Sequence, residues 1–164
     1  MRLSNGILYA KLPNTRAGIV LDSGWLYVTI DVEGGVDISE KEPSYNFGVV
    51  LAGATVNTGL TAFEVTNSSG FNVDIYIRGT DMEGGIGWTL SDTATPEENI
   101  LGFKAGIEGG DYNIVVRKTE PYNKLVNGLA PSVSQKWGLQ LLTPTIISDG
   151  VQKQGTITLM GVAS

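Results

Sequence analysis

Phe63-Glu64-Val65-Thr66-Asn67-Ser68-Ser69-Gly70-Phe71-Asn72-Val73-Asp74-Ile75-Tyr76-Ile77-Arg78 is the run whose reading decides the fold. Phe71, Val73, Ile75 and Ile77 alternate with Asn72, Asp74, Tyr76 and Arg78. A period of two puts the apolar set on one face of a strand. Just before it, Thr61, Phe63 and Val65 alternate with Leu60, Ala62 and Glu64, and Asn67-Ser68-Ser69-Gly70 separates the two runs. Two such strands around a short polar loop predict a β-hairpin, with Asn67 able to adopt left-handed backbone after the first strand.

The pattern continues in both directions. Leu26, Val28, Ile30 and Val32 alternate with Trp25, Tyr27, Thr29 and Asp31. Further strands are predicted over residues 47–51, 86–90, 100–105, 112–116, 137–142 and 156–160, with turns at Gly34-Gly35, Gly84-Gly85 and Glu108–Asp111 and a polar loop over 91–99. Only residues 121–130 read as helical. Pro121 suits a helix start, Leu125, Val126 and Leu129 share one side, and Gly128 limits the segment to two turns. Nine or ten short strands at this spacing, with 22 glycines in 164 residues marking turns, predict an all-β fold. The expected architecture is an antiparallel Ig-like or jelly-roll β-sandwich with one short helix. Residues 1–24 form an N-terminal arm or first strand, and residues 25–164 form a single sandwich domain. Ile7, Leu8, Tyr9, Ile19, Val20 and Leu21 are the apolar pieces of that arm, and extended apolar pieces can add a strand to a neighbour's sheet edge.

Composition narrows the function. The chain has no His and no Cys, so the usual base near neutral pH, the commonest metal ligand and the strongest nucleophile are all missing. No Gly-x-Ser-x-Gly elbow and no phosphate loop occurs. Eleven Lys and Arg against 17 Asp and Glu give a net charge of −6. Such a chain carries no electrostatic footprint for nucleic acid, and no basic amphipathic stretch for a membrane surface. Charged residues are 17% of the chain, below the ~25% of an average globular protein. A weakly charged surface suits packing against copies or partners. It equally suits an all-β domain that displays Thr, Ser and Asn. The N-terminus lacks the apolar run of a signal peptide, so synthesis in the cytoplasm is expected.

Tyr45-Asn-Phe-Gly-Val-Val, Gly53, Thr58-Gly-Leu and Phe63-Glu-Val-Thr-Asn67-Ser-Ser-Gly together resemble a recurring immunoglobulin-like pattern of microbial surface modules. Gly87-Trp88-Thr-Leu90, Gly110-Asp-Tyr-Asn-Ile-Val-Val116 and Lys136-Trp-Gly-Leu139 are similar to uncharacterised β-rich proteins of bacterial and phage surfaces. The resemblance spans residues about 36–162 and implies an adhesion, scaffold or virion-decoration role rather than an enzyme.

Carboxylate groups recur at Asp81 with Glu83, Glu108 with Asp111, Asp37 with Glu40 and Glu42, and Asp92 with Glu97 and Glu98. Oxygen-rich loops of this kind can bind Ca²⁺, so Asp81, Glu83, Glu108 and Asp111 are the metal candidates, although none has a calcium-loop spacing. Solvated turn carboxylates are the plainer reading. A glycosidase pair needs aromatics nearby, and only Trp88 lies close to one. Trp25, Trp88 and Trp137 sit in alternating strands and are expected in the core.

The expected function is therefore structural and non-enzymatic, without catalytic residues or a cofactor. The chain is read as a self-assembling subunit of a virion (capsid, decoration or tail) or of a surface filament. Its partners are copies of itself and other virion or surface proteins, not nucleic acid and not membrane. The alternative is a monomeric carbohydrate- or protein-binding Ig-like module working through an exposed aromatic.

Overall fold

The computed structural model describes residues 3–4, 7–8, 23–34, 38–41 and 44–164. Its strands are β1 (Leu3–Ser4), β2 (Ile7–Leu8), β3 (Ser23–Gly34), β4 (Ile38–Glu40), β5 (Ser44–Leu51), β6 (Thr55–Asn57) and β7 (Phe63–Asn67). The second half adds β8 (Val73–Gly79), β9 (Thr89–Leu90), β10 (Ile100–Ile107), β11 (Ile114–Val115), β12 (Asn123–Leu129), β13 (Ser134–Leu142) and β14 (Gln152–Ala163). The described residues contain no helix, and so none long and apolar enough to cross a membrane.

The strands form two main sheets, with β1 and β2 paired separately. The first runs β11-β10-β13-β7-β4, with β6 also on β13 and β9 on β10; the second runs β12-β8-β14-β3-β5. The two pack as a sandwich around one core. Leu26, Val28, Ile30, Val73, Ile75, Ile77, Ile157 and Leu159 fill it from the five-stranded sheet; Phe63, Val65, Leu101, Phe103, Trp137, Leu139 and Leu141 fill it from the other. Each fully buried side chain of this kind contributes about 1.5–3 kcal/mol. The ring centroids of Phe63 and Trp137 lie 4.5 Å apart, and Tyr45 and Phe47 reach across from β5 to Phe63 and Phe103.

Both sheets are mixed rather than antiparallel throughout. β14 runs parallel to β3 from Gln152↔Trp25 to Gly161↔Gly34, and antiparallel to β8 on its other side. β9 is parallel to β10. Parallel neighbours need a long crossover, and here almost the whole domain separates β3 from β14, a pairing that strand-by-strand periodicity does not encode.

The hairpin expected at Asn67–Gly70 does not form. β7 belongs to the seven-stranded sheet and β8 to the five-stranded one, so the chain turns a corner between layers. Asn67 holds that corner. It is 0% exposed, and its amide donates to the carbonyls of Phe71 and Leu129, both at 2.8 Å, while accepting from the Ser69 N–H and hydroxyl. Among the described residues, positive φ at non-glycine positions falls at Ala94, Asn99 and Ser132, not at Asn67. Phe71, expected inward, lies beyond the start of β8 and is exposed.

The helix expected over residues 121–130 is also absent, since Asn123–Leu129 is strand β12 on the edge of the five-stranded sheet. Its register against β8 slips between Lys124 and Val126 and again between Val126 and Leu129. A bulge lets neighbouring residues face the same way, so Leu125, Val126 and Leu129 are all buried and their spacing imitates a helical stripe. Gly128 takes φ +60° at the second slip, where its N–H donates to Asp74. In the segment expected as a strand over 86–90, only Thr89–Leu90 is one.

Candidate functional site

β8 does not stop cleanly at Gly79. The Thr80 N–H donates to the Thr156 carbonyl, and Glu83 exchanges both backbone hydrogen bonds with Gln154, at 2.8 and 2.9 Å. Between those anchors Asp81 and Met82 bulge. Met82 turns inward and is buried, its sulfur filling the space beside Gly155, where a Cβ would sit 2.2 Å from it. This leaves a groove of about 800 Å³ on the outer face of the five-stranded sheet, between residues 80–84 and the start of β14. Gln152, Gln154 and Thr156 line one wall, and Thr80, Asp81 and Glu83 the other. The side chains of Gln152, Gln154 and Glu83 are exposed and make no hydrogen bond among the described residues.

The end of this region is fastened by Asp149. Its carboxylate accepts from Lys153, from the Val151 N–H and from the Ile86 N–H. Burial pushes that carboxyl up, but the hydrogen bonds and the lysine charge outweigh it and hold Asp149 below the ordinary carboxylate range. Lys153 is fully buried, with its ammonium 5.7 Å from the centroid of the Trp88 ring. A buried cation survives when paired and stacked in this way.

The metal candidates are not gathered. Among the described residues no three Asp, Glu, His or Cys side chains converge. Asp81 accepts from the Leu90 N–H and from Lys118 at 2.8 and 2.9 Å. Glu108 and Asp111 lie at the turn between β10 and β11. Trp88 and Trp137 are core residues, as expected, which removes both as surface platforms. Tyr27, in register with Gln154 on the adjacent strand, is half-buried on the outer face. The sequence reading missed the groove because it began the last strand at Thr156. Lys153 and Gly155 occupy the inward positions before it, so the apolar half of the alternation is missing there.

A second surface is the free edge of the five-stranded sheet. β5 pairs with β3 on one side and has no strand on the other among the described residues. Ser44–Leu51 contains no charged residue and no Pro, and Val49 and Leu51 are 54% and 62% exposed. One register slip interrupts the pairing opposite Leu26 and Tyr27. The opposite edge, β12, carries Lys124 and two slips, while β4 and β11 are very short. Charges, bulges and brevity are the usual means of blunting an edge, and β5 uses least of them. Of the arm residues, Ile7 and Leu8 lie in β2; Tyr9, Ile19, Val20 and Leu21 lie outside the described residues. Ser23 and Gly24, the end of the stretch read from sequence as an arm or first strand, belong to β3.

No protein family matches the chain, and no curated protein matches it in sequence.

Proposed function

We propose that the protein is a non-enzymatic structural subunit that associates with further copies of itself through the β5 edge. The observation that carries this reading is the uncharged eight-residue edge Ser44–Leu51 with Val49 and Leu51 outermost. Backbone pairing along such an edge supplies affinity, and the alternate side chains supply fit. A strand from a second copy meets no charged side chain along that edge, and the apolar arm residues Ile7, Leu8, Ile19, Val20 and Leu21 are the candidate donor. The Ig-like or jelly-roll reading of the sandwich rests on the Phe63, Val65 and Asn67 pattern of β7. The setting, a virion or surface assembly, rests on the resemblance of residues 87–90, 110–116 and 136–139 to β-rich phage and bacterial surface proteins.

Light scattering across a concentration series tests the association. The wild-type chain is expected to form a defined oligomer or a growing polymer, and Val49→Lys with Leu51→Lys to leave a folded monomer. Deleting residues 1–22, which stops short of β3, is expected to lower the mass in the same way. A wild-type monomer at every concentration would sink the proposal. So would a larger assembly after the deletion, because the arm would then be covering the edge of its own chain.

A further inference from the structure

We infer that the groove between residues 80–84 and the start of β14 binds a neutral oligosaccharide. At about 800 Å³ it falls within the range of small-molecule sites. Its long wall is a ladder: Gln152, Gln154 and Thr156 project from alternate positions of one strand, about 7 Å apart. A ladder of this kind suits an elongated ligand with repeating polar groups.

The chemistry of the wall selects hydroxyls. Each glutamine offers an NH₂ donor and a carbonyl acceptor, and Glu83 offers acceptors only. None of the three is engaged with another side chain or backbone group among the described residues. Sugar hydroxyls donate and accept at once, so they can meet amide, hydroxyl and carboxylate in succession. An anionic ligand is disfavoured. Among the described residues the charged groups lining the groove are the carboxylates of Asp81 and Glu83, and the nearby Lys118 is held by Asp81 at 2.9 Å. The net charge of −6 acts in the same direction. Tyr27 stands in register with Gln154 on β3, on the same outer face but outside the groove lining, so the amide ladder itself carries the recognition.

The site is also preformed. The paired backbone hydrogen bonds of Glu83 with Gln154 and the Thr80–Thr156 contacts fix both walls, and Met82 beneath Gly155 fixes the floor. A ligand entering it orders only a few exposed side chains, which limits the entropic cost of binding.

Isothermal titration calorimetry on the full chain tests this with cellotetraose, xylotetraose, laminaritetraose and chitotetraose as neutral probes, and with tetragalacturonate and tetralysine as charged ones. At least one neutral tetrasaccharide is expected to bind with Kd at or below about 1 mM. Gln154→Ala and Gln152→Ala are each expected to weaken it by about tenfold or more. Both side chains are exposed, so neither variant should shift the thermal transition. Three results overturn the inference: no neutral probe binds; a bound probe is indifferent to Gln154→Ala; or only tetralysine or tetragalacturonate binds.

Discussion

Asn67 shows how one polar side chain fixes a topological choice. Phe63–Asn67 and Val73–Gly79 are each half-buried strands, and their alternation is compatible either with a hairpin or with a corner between layers. The buried amide decides between them by bonding at once to Phe71 and, far along the chain, to Leu129. Removing it leaves the buried Leu129 carbonyl without its donor, whereas the Phe71 carbonyl keeps the Ser69 hydroxyl and the half-exposed Ser69 groups can turn to water. Asn67→Ala is expected to cost about 1–3 kcal/mol, the usual penalty for one buried group left without a partner. Asn67→Asp should be at least as damaging at neutral pH, since a carboxylate cannot donate to either carbonyl. Urea unfolding of both variants checks this, and a well-tolerated Asn67→Asp would show that only the acceptor half of the amide matters.

At the scale of elements, the strands themselves were legible and their irregular joints were not. Leu26, Val28, Ile30, Val73, Ile75 and Ile77 follow strict alternation, and all are buried as expected. The failures came where a bulge broke the period, as at Leu125 and Val126, or where a polar or glycine residue faced inward, as at Lys153 and Gly155. The groove lies at such a joint, so its residues carried no apolar signal. The β5 edge was invisible for another reason, because sequence spacing does not say which strand ends a sheet.

Several joints are clamped by aspartates. Asp74 accepts from Lys124 and the Gly128 N–H, and those bonds hold it below the ordinary carboxylate range. Asp92 accepts from the Lys118 and Thr119 N–H groups and the Thr119 hydroxyl. Burial pushes its carboxyl up, but these bonds and the Arg117 charge outweigh it and bring it down, as at Asp149. A carboxyl more acidic in the folded than in the unfolded chain stabilises the fold above the unfolded value, near 3.8. That stabilisation is lost as pH falls through the lower, folded value. The unfolding free energy should therefore hold steady from about pH 7 to 5 and fall steeply below about pH 4. Asp92→Asn should be less stable than wild type by about 1 kcal/mol at pH 7, and the gap should close in strong acid as Asp92 itself protonates. A gap independent of pH in denaturant melts would mean that the clamp acts through shape rather than charge.

For the whole molecule, the strand order concentrates dependence on the last part of the chain. β13 sits in the middle of the first sheet and β14 in the middle of the second, while most consecutive strands lie in opposite layers. Neither sheet is continuous until residues near the C-terminus have paired with residues far upstream, Gln152 with Trp25 at the extreme. Such non-local topology predicts folding in milliseconds to seconds. It also predicts that β14 cannot be spared. Without it β8 and β3 lose their shared neighbour, the core loses Ile157 and Leu159, and Trp88 loses the stacked Lys153. Two buried aliphatics alone are about 3–6 kcal/mol, before the ladder hydrogen bonds, against a total stability of about 5–15 kcal/mol for a domain. A chain ending at Gly150 is expected to show no cooperative thermal transition and no near-ultraviolet circular dichroism. Adding a synthetic peptide of residues 151–164 should restore both, because the peptide carries the pairing partner that β8 and β3 share and lets the chain fold around it. A truncated chain that still unfolds cooperatively would mean that the seven-stranded sheet stands on its own.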